Sequence, residues 1–205
     1  MPEGSIGARQ GRKYDQVIEG ARAVFLRDGF EGASVDDIAR EAGVSKATLY
    51  SYFPDKRQLF SEMVGVLCRR QAEQANMEID FGAPPAAVLP LVGRRLMRFI
   101  LSPTGQRLFR ICVAETDRFP ELGAEYYRCG PQMVQTRLRD YLLEASARCE
   151  VRFDDANLAA AQFAELCRAE LWAKVIFGVQ PSVTEAEIAR TVDGATLMFL
   201  ARYGC

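Results

Sequence analysis

The chain of 205 residues carries 26 basic and 27 acidic side chains, 49% hydrophobic residues and no histidine. A net charge of −1 excludes a polybasic tail or a globally basic nucleic-acid binder, though not a local basic patch. Without histidine there can be no Ser-His-Asp triad, no histidine-ligated zinc or di-iron site and no histidine pH switch.

The opening MPEGSIGARQGRK is polar and glycine-rich, unlike a signal peptide. Its Arg9, Arg12 and Lys13 form a small cationic arm, either a reach toward a neighbouring groove or a solvated tail. Over 14–27, Val17, Ile18, Ala21, Val24 and Phe25 repeat at three and four, which predicts an amphipathic helix ended by Asp28-Gly29. Ser34 followed by Asp37 is a helix-start signature for a short second helix reaching about Ala42. Gly43 then turns the chain, Ser45 caps a third short helix, and that helix stops before Pro54. Asp55 opens a long fourth helix with Leu59, Phe60, Met63, Val64 and Leu67 on one side.

The stretch IDFGAPP, residues 79–85, reads as a linker. Beyond it the pattern predicts helices over 86–101, 104–118, 121–149 with an interruption allowed at Gly130-Pro131, 155–177, and 185–203 opened by a capping box at Thr184 and Glu187. No β-hairpin signal, repeat or low-complexity tract breaks the series. The fold class expected is all-α: an N-terminal three-helix helix-turn-helix domain over 1–60, and a larger helical-bundle regulatory domain over 61–205.

Six scattered cysteines with no CxxC read as reduced intracellular thiols, and no apolar run approaches the ~20 residues of a membrane span. The expectation is a cytoplasmic protein with no membrane partner, no metal, no cofactor and no enzymatic constellation.

A glycine turn between two short helices fits a helix-turn-helix. Val44 and Leu49 anchor the third helix inward. That leaves Ser45, Lys46, Ala47, Thr48, Tyr50 and Tyr52 on its first turns and outer face. Hydroxyls, one cation and a small residue suit phosphate oxygens and base edges, and the helix N-terminus adds N–H donors. Charge alone says little, because residues 1–60 hold nine basic and nine acidic side chains.

The run ASVDDIAREAGVSKATLYSYFPDKRQLF, residues 33–60, resembles the DNA-binding domain of TetR-family transcriptional regulators, and nothing in it departs from the family pattern. The resemblance implies that Ser34 contacts phosphate and that Ser45, Lys46, Ala47 and Thr48 face the major groove of double-stranded DNA. It implies further that Tyr50 and Tyr52 grip backbone or bases and that Lys56 holds a phosphate. Residues 107–131, RLFRICVAETDRFPELGAEYYRCGP, are similar to the AefR-like group of TetR C-terminal domains, which implies a helical domain that dimerises and binds a small effector.

In that domain, Met97, Ile100, Phe109, Phe163 and Trp172, with Glu115 as a polar contact, are candidate ligand residues or plain core. Ile188, Val192, Ala195 and Phe199 on the last helix, with Leu158 and Ala169, are candidates for a homodimer interface of four helices. The function expected is a DNA-binding regulator, a repressor released from a palindromic operator by a small, largely apolar effector. Two alternatives stand beside it: the same DNA-binding role switched by cysteine oxidation, and an all-α enzyme acting on the pocket ligand.

Overall fold

The protein is described from a computed structural model covering residues 11–205, the side chains of residues 72 and 75–78 excepted. Arg9 of the cationic arm lies outside the described residues. Those residues form helices joined by short turns: α1 (Arg12–Gly32), α2 (Val35–Glu41), α3 (Lys46–Tyr52), α4 (Lys56–Glu78), α5 (Pro85–Leu101), α6 (Pro103–Glu115), α7 (Pro120–Tyr127), α8 (Met133–Ala147), α9 (Ala156–Arg168), α10 (Leu171–Ile176) and α11 (Glu185–Tyr203). Among the described residues the only extended pairing is an isolated antiparallel bridge between Val151 and Gly204.

The chain divides into two compact units. The first runs to Cys68 and also takes in Leu108–Tyr126; the second comprises Arg69–Arg107 and Tyr127–Cys205. Most of α6, from Leu108, and α7 as far as Tyr126 thus belong to the same unit as the N-terminal helices.

In the first unit the stripe of α1 is buried as its period requires: Val17, Ile18, Ala21, Val24 and Phe25 are at most 1% exposed. Phe60 of α4 sits edge-on to both Phe25 and Phe30, with centroids at 5.1 and 5.4 Å. Phe119 meets Phe30 at 5.2 Å, which fastens the later segment to this core. Each such burial is worth about 1.5–3 kcal/mol. The predicted end of α1 at Gly29 is a break in the backbone there (φ 78°, ψ −179°), after which one more turn runs to Gly32.

Lys56, the first residue of α4, closes this corner. Its ammonium donates to the carbonyls of Phe30 at 2.8 Å, Ala33 at 3.1 Å and Glu31 at 3.4 Å, and lies 4.7 Å from the centre of the Phe30 ring. The expected phosphate contact is thereby revised, because all three ammonium donors already point at the protein's own backbone.

In the second unit α5 packs on α11 and α9 on α8. Gly93 lets α5 approach closely, since a Cβ there would stand 2.6 Å from a Val192 methyl and 3.0 Å from the Cys167 sulfur. The Pro85–Leu101 bounds of α5 agree with expectation, and so does the capping box of Thr184 and Glu187. Gly130-Pro131 leads to no break. Arg128–Gln132 instead form a π-helical turn that joins α7 to α8 and absorbs the missing proline N–H.

The single helix expected over 155–177 is two helices that meet at Ala169-Glu170. Phe163, Cys167, Leu171 and Val175 are all buried at strict spacings of four. On one straight helix that spacing drifts about 40° per step, or about 120° over the set, so the break returns Leu171 and Val175 to the core.

Helix α8 ends in a Schellman turn: Glu150 N–H bonds the Ala145 carbonyl at 3.0 Å and Cys149 N–H the Ser146 carbonyl at 2.9 Å. The pivot is Cys149 at φ 60°, where glycine is the comfortable residue. Two outcomes follow in urea unfolding. Lys56→Met is expected to lower stability by about 1–3 kcal/mol, through carbonyls left without a donor; an unchanged midpoint would mean that the clamp contributes nothing. Cys149→Gly is expected to raise stability by about 0.5–1 kcal/mol, whereas Cys149→Val lowers it.

Candidate nucleic-acid interface

The α2–α3 turn is built from local rules. Ser34 caps α2, its hydroxyl accepting from Asp37 N–H at 3.0 Å and donating to the Asp37 carboxylate at 2.5 Å. That donated bond, with Arg40 beside it, holds the Asp37 carboxyl below its usual range. At the other end, Gly43 N–H bonds Arg40 carbonyl at 3.1 Å and Val44 N–H bonds Ala39 carbonyl at 3.0 Å. This is a Schellman turn with glycine at φ 64°, and it reverses the chain within three residues. Ser45 then caps α3 by accepting from Thr48 N–H at 3.1 Å, and the two hydroxyls lie 2.8 Å apart.

Leu49 and Phe53 point inward and are buried. Lys46, Ala47 and Tyr50 are exposed on the face away from Leu49, with Ser45 exposed at its start and Thr48 half-buried. Tyr52 departs from the expected outward set. It is half-buried, and its ring stands edge-on to Tyr14 at 6.0 Å. Tyr14 in turn donates to the Glu62 carboxylate at 2.6 Å, so Tyr52 braces α3 against α1 and α4. Ser34 likewise serves first as a cap, its hydroxyl spent on Asp37.

Sequence reasoning missed Asp36. Its carboxylate takes the Lys46 ammonium at 2.7 Å, tying α2 to α3 and pushing the Lys46 pKa up, by hydrogen bond first and by charge second. Both side chains are more than half exposed, so the pair is loosely held. A phosphate could exchange with Asp36 at little cost.

The six candidate effector residues do not come together. Met97 and Phe163 are buried in the second unit's core, with Ile100 and Trp172 packed against it, and Trp172 also lies under Arg168 at 4.7 Å. Phe109 and Glu115 belong to the first unit, where Phe109 faces Tyr126. A cavity of about 110 Å³ in the second unit has other walls: Phe81, Val92, Arg95, Leu96, Phe99 and Arg137 among them. Helix α5 is apolar on two sides; Leu89, Gly93 and Met97 face the core, while Val92, Leu96 and Phe99 face the cavity. An arginine inside the α8 stripe of Met133, Val134 and Leu138 was the available signal for this wall. A second hollow of about 490 Å³ has Arg98 at its edge, in a bidentate pair with Glu185.

The proposed interface stripe is corrected too. Ile188, Val192, Ala195 and Phe199 are at most 4% exposed within their own chain, and Phe199 meets Phe163 edge-on at 5.5 Å. Leu158 and Ala169 remain exposed, and the outward face of α11 carries Leu197 at 71% and Met198 at 62% exposure.

Cys68, Cys112, Cys129 and Cys167 are buried. Burial pushes the thiols of Cys112 and Cys167 up to about 12, which leaves almost no thiolate near neutrality. A redox switch would therefore rest on exposed Cys149 and Cys205. Among the described residues no group of three His, Cys, Asp or Glu could hold a metal, and no helix is long and apolar enough to cross a membrane.

With this geometry in view, the likenesses are specific. Residues 17–63 match the profile of bacterial regulatory proteins of the tetR family, and residues 87–205 match the AefR-like transcriptional repressor C-terminal domain. The whole fold superposes on a regulator assigned to the TetR family from Mesorhizobium loti MAFF303099 with a TM-score of 0.86 at 27% identity, covering 97% of this chain and 100% of that one. It superposes on the flavonoid-responsive regulator FrrA with a TM-score of 0.78 at 34% identity, covering 95% and 98%. The fatty acid metabolism regulator protein of Bacillus subtilis is 37% identical over 65 residues, 30% of this chain and 34% of that protein. The chain spans about a quarter to a third of the length of the curated relatives it matches. An N-terminal tetR-type helix-turn-helix joined to an AefR-like helical domain places this chain in the TetR family of transcriptional regulators.

Proposed function

We propose that the protein is a homodimeric repressor that reads a palindromic operator with α3 and leaves it when a small apolar effector enters the cavity beside α5. The observation that carries the reading is the exposed set Ser45, Lys46, Ala47 and Tyr50 on a helix whose other side is pinned by Leu49 and Phe53. Lys46 supplies charge for phosphate, Ala47 allows close approach, and Tyr50 offers a ring and a hydroxyl to backbone or base edge. Thr48, half-buried, offers its hydroxyl at the same helix start. Ser34, Tyr52 and Lys56 act chiefly by fixing where α3 stands.

Two copies are needed for a palindrome, and the outward faces of α9 and α11 supply the surface. Leu158 on α9 with Ala169 at its end, and Gly194, Leu197 and Met198 on α11, present apolar and small residues suited to a four-helix packing about a twofold axis.

Helix α4 gives the effector a route to the DNA. It begins at Lys56, which holds the α1–α2 turn, and carries Gln71 into the cavity wall. An effector that favours the released arrangement by about 2.8 kcal/mol lowers operator affinity about a hundredfold. FrrA is named for its response to flavonoids, a precedent within the fold for an apolar effector.

The test is operator binding by fluorescence anisotropy across a salt series. Lys46→Ala and Tyr50→Ala should each cost about 1–3 kcal/mol of affinity with unchanged melting temperature, and Lys46→Ala should also flatten the salt slope by about one. Unchanged affinity in both variants would refute the assignment of α3 as reader. For the dimer, Leu197→Asp should give folded monomers by sedimentation; dimers of wild-type strength would move the interface elsewhere.

A further inference from the structure

We infer that Cys149 and Cys205 form a reversible intrachain disulfide site that ties the end of α8 to the end of α11. Both lie in the second unit, and the inference needs nothing from the DNA or effector readings. The isolated bridge of Val151 with Gly204 brings them together. Arg152 N–H bonds the Tyr203 carbonyl at 2.7 Å, and Cys205 N–H bonds the Glu150 carbonyl at 3.2 Å. Those bonds flank the bridged pair and set Cys205 opposite Glu150, the neighbour of Cys149. Residues opposed in this way have Cα atoms about 5.5 Å apart, and one peptide adds about 3.8 Å at most. The two cysteine Cα atoms therefore stand within about 9 Å, a range that includes the roughly 4.4–6.8 Å of disulfides. The bond at Cys205 is the longer of the two, so that end of the bridge yields at least cost.

Access separates this pair from the other thiols. Cys149 and Cys205 are exposed and free, whereas Cys68, Cys112, Cys129 and Cys167 are buried. Cys68 and Cys112 make the contrast, being near enough to interact by charge. Burial first, and Cys68 second, push the Cys112 thiol up to about 12. That pair is sealed from a dissolved oxidant, and the bridged pair is not. Cys149 also occupies the φ 60° pivot of the turn that ends α8, so a thiol stands there against the backbone preference for glycine.

A hydroperoxide is the oxidant. One cysteine sulfur attacks it, the O–O bond breaks, and the thiol's proton ends on the departing oxygen, as alcohol or, from hydrogen peroxide, as water. That sulfur is then a sulfenic acid. The second sulfur attacks it, the S–S bond forms as the S–O bond breaks, and hydroxide leaves with the second thiol proton as water. Two electrons pass from the thiol pair to the peroxide, and a dithiol reductant returns them. The closed loop contains α9, α10 and α11, so the link restricts the unfolded chain across all three helices. It also anchors the end of the helix that carries exposed Leu197 and Met198.

The experiment treats the full chain with hydrogen peroxide, then counts native thiols with a maleimide, maps peptides by non-reducing mass spectrometry and records a melting curve. Cys149 and Cys205 are expected to react with the maleimide before treatment and to be silent after it. Their peptides should be joined within one chain, and the melting temperature should rise by about 5–15 °C and return with dithiothreitol. Cys149→Ser and Cys205→Ser should each abolish that rise, yet melt within about 2 °C of the wild type under dithiothreitol. The peptide map of the wild-type protein decides the matter without either variant. Thiols that stay reactive, separate oxidation of the two sulfurs to sulfinic acid, or a link between chains would overturn the site. A link found instead between Cys68 and Cys112 would overturn the argument from access.

Discussion

Everything proposed for DNA recognition hangs on where a seven-residue helix is held, and the Lys56 ammonium is central to holding it. A charge in contact with three carbonyls of one turn is stronger than any single neutral hydrogen bond, because each acceptor is charge-assisted and the donors are compact. The turn so gripped sets the entry of α2. From there the geometry is propagated by covalent chain and caps: Ser34 starts α2, the Gly43 turn reverses it, and Ser45 starts α3. Lys56 is also the first residue of α4, so the helix that reaches the cavity begins at the clamp itself. Any shift of α4 along its axis must either drag the α1–α2 turn or give up those bonds.

Electrostatics in the reading surface are arranged for exchange rather than storage. The chain is nearly neutral, and Lys46, the exposed cation of α3, is paired with Asp36. An exposed pair of this kind contributes little to stability. On the proposed reading, binding DNA would swap one anion for another, with the net gain coming largely from counterion release and therefore from salt conditions.

Local features were the legible ones. The caps at Ser34, Ser45 and Thr184, the glycine reversal at Gly43 and the inward Leu49 follow from short-range stereochemistry, and the sequence states short-range stereochemistry directly. The outward residues of α3, Ser45, Lys46, Ala47 and Tyr50, were readable for the same reason: a helix so short has few outward positions. What failed was the assignment of apolar stripes to partners. Ile188, Val192, Ala195 and Phe199 have the right spacing for an interface, and equally the right spacing for their own core, where they lie. Periodicity gives a face and not its occupant. Helix α5 complicates it differently, because it is apolar on two sides, with Leu89 and Met97 in the core and Val92, Leu96 and Phe99 lining the cavity. Lys56 was legible as important and misread in kind, because its acceptors are backbone atoms some 23–26 residues earlier.

The most direct test of the central claim is selection of bound duplexes from a random pool by the purified dimer, at about 0.15 M salt so that unspecific phosphate attraction is weak. The account predicts a palindrome whose half-sites are separated by about one helical turn or more, recovered by the wild-type protein and lost with Lys46→Ala/Tyr50→Ala. Folded, dimeric protein that enriches no motif, or the same motif recovered by the double variant, would contradict it.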